Sequence, residues 1–217
     1  MDESDARQIA KQLRQPDGPD GLEVAERLNT TNAEMIETTI EILGLSDGHS
    51  VLELGPGNAQ HVVDLLTRAN NIDYTALEIS ETMVAEASAR NSTTPPSTSA
   101  RFLLYDGLRF PSSDEEFDRL FTVNTLYFWE EPALMLSEIY RVLKPTGRAV
   151  ISFVDASFLN ERPFAQYGFT PYDAESITEL VARSAFKTVE LGHHEDQVTS
   201  PEGDLWDRGY VSATLTK

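Results

Sequence analysis

Residues 51–60 read VLELGPGNAQ, and they constrain this 217-residue chain more than any other stretch. A short apolar run carrying the acid Glu53 gives way to two glycines, Gly55 and Gly57, and then to a run of helical character. Strand, tight loop and helix in that order are how a chain cradles a nucleotide-like ligand. Lacking a Cβ, glycine takes backbone angles that other residues avoid and lets a ligand approach the main chain. The following helix offers unpaired N–H groups and the positive end of its dipole. A plain turn also accounts for two glycines, so the neighbouring residues decide.

Glu53 ends an apolar strand two residues before Gly55. A dehydrogenase loop keeps that buried position apolar, whereas an acid there suits a ligand with a positive group, such as an amino group. The third glycine of the dinucleotide fingerprint is missing, because Gln60 stands in its place. The segment E-L-G-P-G-N-A resembles the E/D-x-G-x-G-x-G loop of class I S-adenosylmethionine-dependent methyltransferases, with Ala59 where that family has its last glycine. The resemblance implies that Glu53, Gly55, Gly57 and Asn58 bind S-adenosyl-L-methionine, with Glu53 facing the amino group of its methionine moiety.

The same resemblance extends downstream. Residues 74–79, YTALEI, read as a strand ending in Glu78, 23 residues after Gly55. That is the place of a ribose-binding acid, whose two oxygens can take both hydroxyls. E-I-S-E-T-M over residues 78–83 resembles the family's acid-x-S-x-x-M segment, which implies that Ile79 and Met83 lie at the adenine; helix core is the other reading of Met83. YDGLRFPSSDEEFD over residues 105–118 resembles the family's run after the third strand. It implies an adenine contact from Asp106, beside Gly107, although Asp-Gly also forms turns unaided. Residues 119–124, RLFTVN, are apolar enough for a central strand, which delivers Asn124 to the cofactor side. TLYFW follows at the carboxyl end of that strand, where open sheets bind ligands. Tyr127 and Trp129 are expected to line the substrate or sulfonium pocket, since aromatic faces attract a sulfonium, and Phe128 is expected in the core. EIYRVLKPTGRAVIS resembles the family's L-x-E-x-x-R-V-L-K-P-G-G connection, with Thr146 replacing one glycine.

Around these motifs the chain alternates helices and strands, which supports a parallel sheet independently of any family. N-terminal helices are expected over residues 2–14 and 22–28, with a break at 16–21. A third starts at Thr31 with a capping box to Glu34 and carries Ile36, Ile40 and Leu43. They pack on the sheet, cover the ligand, or do both. Further helices are expected over 61–69, 80–90, from 131 and over 173–184. A polar loop spans 91–100, strands cover 101–105 and 149–154, and an aromatic connection covers 155–172. Strands 187–191 and 210–216 form a closing hairpin. The residues between them include His193, His194, Glu195 and Asp196; neighbours on a strand point to opposite sides, so no metal site is read there. The expected fold is a doubly wound α/β sheet of seven mostly parallel strands, the last antiparallel. It is the Rossmann-like methyltransferase fold, with a helical cap over 1–48 and the cofactor-binding unit over 49–217.

Composition narrows the partners. The net charge of −19 repels phosphate backbones, so no nucleic-acid substrate is expected. Arginine outnumbers lysine, 13 to 4, which suits an ordinary acidic protein or one adapted to high salt. No apolar run approaches the ~18 residues of a membrane span, the polar N-terminus lacks the apolar segment of a signal peptide, and cysteine is absent. A cytoplasmic protein is expected. The resemblance implies methyl transfer by in-line displacement to a carbon, oxygen or nitrogen of a small-molecule acceptor, as in the methyltransferases of quinone biosynthesis. Alignment and exclusion of water are then the protein's main tasks, and a general base is needed only for a protonated nucleophile. His61, Tyr127 and Tyr167 are the candidates. Two rivals stay open: a nicotinamide-dependent oxidoreductase, disfavoured by Glu53 and the missing glycine, and a non-catalytic binding domain of the same fold.

Overall fold

The chain is described by a computed structural model over residues 2–92, 99–186, 188–200 and 203–217. Its strands are β1 (Ser50–Leu54), β2 (Asp73–Glu78), β3 (Ser99–Leu104), β4 (Phe117–Val123), β5 (Leu143–Val154), β6 (Val189–Thr199) and β7 (Leu205–Thr216). They form one sheet in the order β3-β2-β1-β4-β5-β7-β6. Every pairing from β3 to β5 is parallel, and β7 runs antiparallel to both β5 and β6. This is the doubly wound sheet that the alternation of elements implies.

Successive strand residues point to opposite faces, and helices cover both. Leu52, Leu77, Leu120 and Ile151 pack on one face with α6 (Pro132–Val142) and α8 (Ala174–Ala182). Val51, Tyr74, Phe121 and Val150 pack on the other with α3 (Ala33–Leu43), α4 (Val62–Leu65) and α5 (Glu81–Arg90). Helices α1 (Glu3–Arg14) and α2 (Gly18–Thr31) precede them, and α7 (Ala156–Leu159) lies in the connection after β5. Between α3 and β5, Thr39 Oγ1 donates to Ser152 Oγ at 2.7 Å in the buried interior. Among the described residues no helix is long and apolar enough to cross a membrane.

Three local expectations are corrected. Thr31 opens no capping box: α2 continues through it, its hydroxyl donates to the carbonyl of Arg27, and Asn32 stands at the N-terminal boundary of α3, with its side-chain oxygen taken by Asn124 and Arg208 instead of by the helix. The helix expected over 61–69 keeps regular geometry only at α4. From Thr67 the bonds tighten to the three-residue spacing, and the Thr67 hydroxyl bonds the Asp64 carbonyl, a local alternative to the helical ladder. The segment placed between the expected strands 187–191 and 210–216 is largely strand itself, because β6 and β7 pair from Val189–Leu215 to Thr199–Leu205. Part of the polar loop expected over 91–100 lies outside the described residues, as does Lys187, expected to open a strand.

Strand register positions the site. Leu54 is level with Leu77 on one side and Thr122 on the other, while Glu78 is level with Leu104. The loops after β1, β2, β3 and β4 therefore emerge together at one edge. Chain direction reverses its progress across the sheet between β1 and β4, which is the switch point where such sheets bind ligands.

Candidate active site

A cavity of about 360 Å³ opens at that edge. Gly55 and Gly57 hold the β1 loop in left-handed conformations, at φ +68° and +58°. A Cβ on Gly55 would stand 2.6 Å from Thr125 Cγ2, so the loops of β1 and β4 touch across the switch point only because that residue is glycine. At Gly57 nothing lies within 4 Å, and the main chain faces open space. Ala59 adopts φ +54° with its methyl fully buried. It thus takes the left-handed conformation for which the family pattern uses glycine, at a strain of ~1–2 kcal/mol.

Of the residues expected at the cofactor, Glu53, Gly55, Gly57, Asn58, Glu78, Ile79, Asp106, Gly107 and Asn124 line this cavity. Glu78 Oε1 accepts the N–H groups of Ile79 at 2.7 Å and Ser80 at 3.0 Å, and its Oε2 accepts that of Gly57 at 3.2 Å. The acid therefore braces the glycine loop as well as facing the cavity. Burial pushes its carboxyl up to about 7; the three N–H groups pull the other way, and the charge of Glu53 adds to the rise. Glu53 Oε2 accepts from His61 Nε2 at 2.9 Å and from the hydroxyl of Tyr74. Burial disfavours the His61 imidazolium, but the Glu53 carboxylate outweighs it and raises the pKa above the ordinary value. Asp106 Oδ1 accepts the N–H groups of Leu108 and Arg109, both at 2.8 Å, and these bonds hold its pKa below the ordinary carboxylate range. Its turn-forming role is thus realised at the cavity wall. Asn124 sits at φ +59°, with its Oδ1 accepting the Val154 N–H and its Nδ2 donating to Asn32 Oδ1.

Three expected residues are not brought to the cavity. Met83 is fully buried on the inner face of α5 and belongs to the helix core. Tyr127 and Phe128 exchange their expected places: Phe128 lines the cavity and Tyr127 packs behind it. The backbone after β4 turns tightly over Leu126–Phe128, with Phe128 N–H donating to the Thr125 carbonyl, so strand alternation no longer decides which ring faces out. Burial raises the Tyr127 phenol far above its ordinary pKa, which removes it as a base. Tyr167 lies under the guanidinium of Arg7, 4.2 Å from the ring centroid, away from the cavity. Trp129 and His61 do line it, and the Trp129 indole N–H donates to Thr125 Oγ1 at 3.2 Å.

The N-terminal helices supply walls that no single motif announced. Arg14, Gln15, Leu28, Asn29 and Asn32 line the cavity. Gln15 Nε2 donates to the Ile79 carbonyl at 2.8 Å, the Ser80 hydroxyl donates to the Pro16 carbonyl, and Arg14 pairs with Glu130. Asn58 Nδ2 donates to Glu26 Oε1 and Asn29 Nδ2 to Gln60 Oε1, fastening α2 to the glycine loop. Beneath them a buried ion pair joins Arg208 to Asp196, and Arg208 also donates to the Thr31 carbonyl and to Asn32 Oδ1. His194 stacks on Tyr210 and bonds Ser212 Oγ at 2.9 Å.

Acids from the ends of β1, β2 and β3 thus face one cavity with a glycine loop between them. Residues 52–151, spanning that whole set, match the family described as a methyltransferase domain. This segment is a methyltransferase domain of the class I S-adenosylmethionine-dependent type. Among curated relatives of this methyltransferase, the uncharacterized methyltransferase YdaC of Bacillus subtilis is 26% identical over 69% of the chain and 82% of its own length. The demethylmenaquinone methyltransferase of Beutenbergia cavernae is 31% identical over 68% of the chain and 61% of its own length. A putative methyltransferase solved in complex with the Haloferax volcanii Trm112 methyltransferase activator superposes with a TM-score of 0.72, at 17% identity over 89% of this chain and 93% of that one. The methyltransferase therefore carries out methyl transfer dependent on S-adenosylmethionine.

Proposed function

We propose that the methyl acceptor is a small, largely apolar molecule, and that residues 1–48 act as a cap over it and the cofactor. One observation carries this reading: three acids line the cavity from the β1, β2 and β3 ends, while the two aromatic rings beside the β4 loop line it together with leucine and isoleucine of the cap. The half made by β1, β2 and β3 offers Glu53, Glu78 and Asp106. The half made by the cap and the β4 loop offers the large apolar side chains Leu13, Leu28, Ile36, Phe128 and Trp129, with Arg14 paired to Glu130 and the amides of Gln15, Asn29 and Asn32 around them.

The first half fits S-adenosylmethionine. Gly57 leaves main chain open to a ligand, Glu53 offers a carboxylate for an ammonium, and Glu78 offers two acceptor oxygens for the ribose hydroxyls. Ile79, Asp106 and Gly107 would flank the adenine. When bound, the cofactor supplies a methyl group already activated on a sulfonium. The chain's own residues then orient and exclude. Trp129, held by Thr125, and Phe128, held by Phe169 at a centroid distance of 4.5 Å, present ring faces and edges to the acceptor side. The cap closes that side to water, and holding two reactants in line is worth several powers of ten in rate. Among the described lining residues, His61 is the one with an imidazole, and it is committed to Glu53, so an acceptor that needs no strong base suits this site best.

The quinone-related acceptor in the name of the Beutenbergia relative agrees with an apolar ring in this half. The absence of cysteine from the chain is in keeping with a cytoplasmic setting. The test is formation of S-adenosylhomocysteine with a panel of hydroxylated aromatic acceptors against polar amines. Turnover confined to polar amines refutes the apolar half. Cofactor binding without turnover on any acceptor favours a binding domain.

A further inference from the structure

Glu53 is an acid inside a β-strand, 2% exposed, level with Ala76 and Phe121 of the flanking strands. A carboxylate so placed needs donors, since an unpaired buried charge is among the most costly things a fold can hold. It has two, and they come from different elements. Tyr74 reaches it from the neighbouring strand β2, and His61 from the turn that opens α4. The histidine ring is itself held edge-on against Phe121, with centroids 6.3 Å apart.

Both donors converge on the same oxygen, Oε2. No described residue donates a hydrogen bond to Oε1, and Glu53 lines the cavity. Donors serving only to satisfy a buried acid would be expected to engage both oxygens, as the backbone does for Glu78. Here one oxygen is clamped and the other is left to the ligand. The clamp also fixes the plane of the carboxylate, because a two-donor oxygen cannot swing without breaking a bond.

We infer that His61 and Tyr74 are positioning residues that clamp one oxygen of Glu53 so that the other receives the ammonium of the cofactor's amino-acid moiety. The inference rests on the reading of this cavity as the S-adenosylmethionine site and assigns His61 a role other than that of a general base. The ammonium is the third donor to a carboxylate that already has two, and it is the one supplied by the ligand. Specificity follows: an adenosine thioether lacking the amino-acid moiety gains nothing from the clamp.

The test is titration calorimetry of the full chain with S-adenosylhomocysteine and with 5′-methylthioadenosine, which keeps the adenosine and sulfur but has no ammonium. Tyr74→Phe deletes one donor almost isosterically, and His61→Phe deletes the other. Each is expected to weaken S-adenosylhomocysteine by about tenfold while leaving methylthioadenosine unchanged. His61→Gln, which retains an N–H donor, is expected to recover most of the loss. Variants that keep the parent's ratio of the two affinities, or that lose both ligands equally, overturn the clamp. Failure of the parent protein to bind either ligand overturns the cofactor site itself, a distinct outcome. Because Tyr74→Phe preserves the ring in the core, it reports on the clamp even where a substitution of His61 impairs folding.

Discussion

Replacing Glu78 by glutamine isolates the cost of burying this carboxylate. The residue is 5% exposed, and its pKa rises from 4.5 to about 7, first through burial. Between those values the folded chain keeps a proton that the unfolded chain has released. Folding stability therefore falls as pH rises from about 4.5 to about 7 and levels off above that. At ~1.4 kcal/mol for each tenfold change in proton affinity, the loss amounts to about 3 kcal/mol. Glutamine has no proton to lose. Its one carbonyl oxygen can keep the Ile79 and Ser80 N–H groups, but its amide then meets the Gly57 N–H donor to donor. That costs about 1–3 kcal/mol at any pH. Glu78→Gln is thus expected to be less stable than the parent near pH 5 and to close the gap near pH 8, the difference moving by about 3 kcal/mol. Titrating groups that do not feel Glu78 are common to both proteins and cancel, and Glu53 is the neighbouring acid coupled to it. Urea unfolding monitored by tryptophan fluorescence across that range supplies the numbers. A difference that stays constant with pH refutes the reasoning.

Three further outcomes are expected. Gly55→Ala must place a methyl 2.6 Å from Thr125 Cγ2 at a positive φ, so it should lower stability by more than the ~1–2 kcal/mol of the conformation alone and abolish S-adenosylhomocysteine binding, as read by thermal melts with and without ligand. Asp196→Ala leaves the buried Arg208 guanidinium without its carboxylate, at about 3–5 kcal/mol, and hydrogen exchange should rise at Thr31 and Asn32, which Arg208 also holds. Arg14→Ala removes an exposed ion pair with Glu130, so stability should change by less than ~1 kcal/mol while ligand dissociation, followed by stopped flow, becomes faster.

The parts of the structure written in local pattern were legible in the sequence. The β1 strand, its glycines and the acid at the end of β2 follow from backbone sterics and spacing, and their shared edge follows from parallel register. What escaped was set by distant partners. The run over 193–199 lies outside the strands expected at 187–191 and 210–216, yet Asp196 sits opposite Arg208 in a cross-strand pair, and the hairpin extends through it. Thr31 and Glu34 read as a helix start, but tertiary bonds from Arg208 and Asn124 fix the break one residue later, at Asn32. Met83 matches a motif and still faces inward, because a helix presents whichever side the sheet beneath it requires. Which of Tyr127 and Phe128 faces the cavity depended on a single tight turn, whose geometry the aromatic run does not encode.

The short segment from Glu78 to Thr82 serves two structures at once. Its acid faces the cavity, while Ile79, Ser80 and Thr82 fasten the link between α1 and α2 through Gln15, Pro16 and Asp17. The roof of the chamber is therefore bolted to the very shelf on which the nucleoside would rest. A roof mounted on the far wall could lift without disturbing that shelf. With the proposed cap and cofactor seat, this one could not, and exchange of the nucleoside and exposure of the chamber to solvent would be mechanically one event.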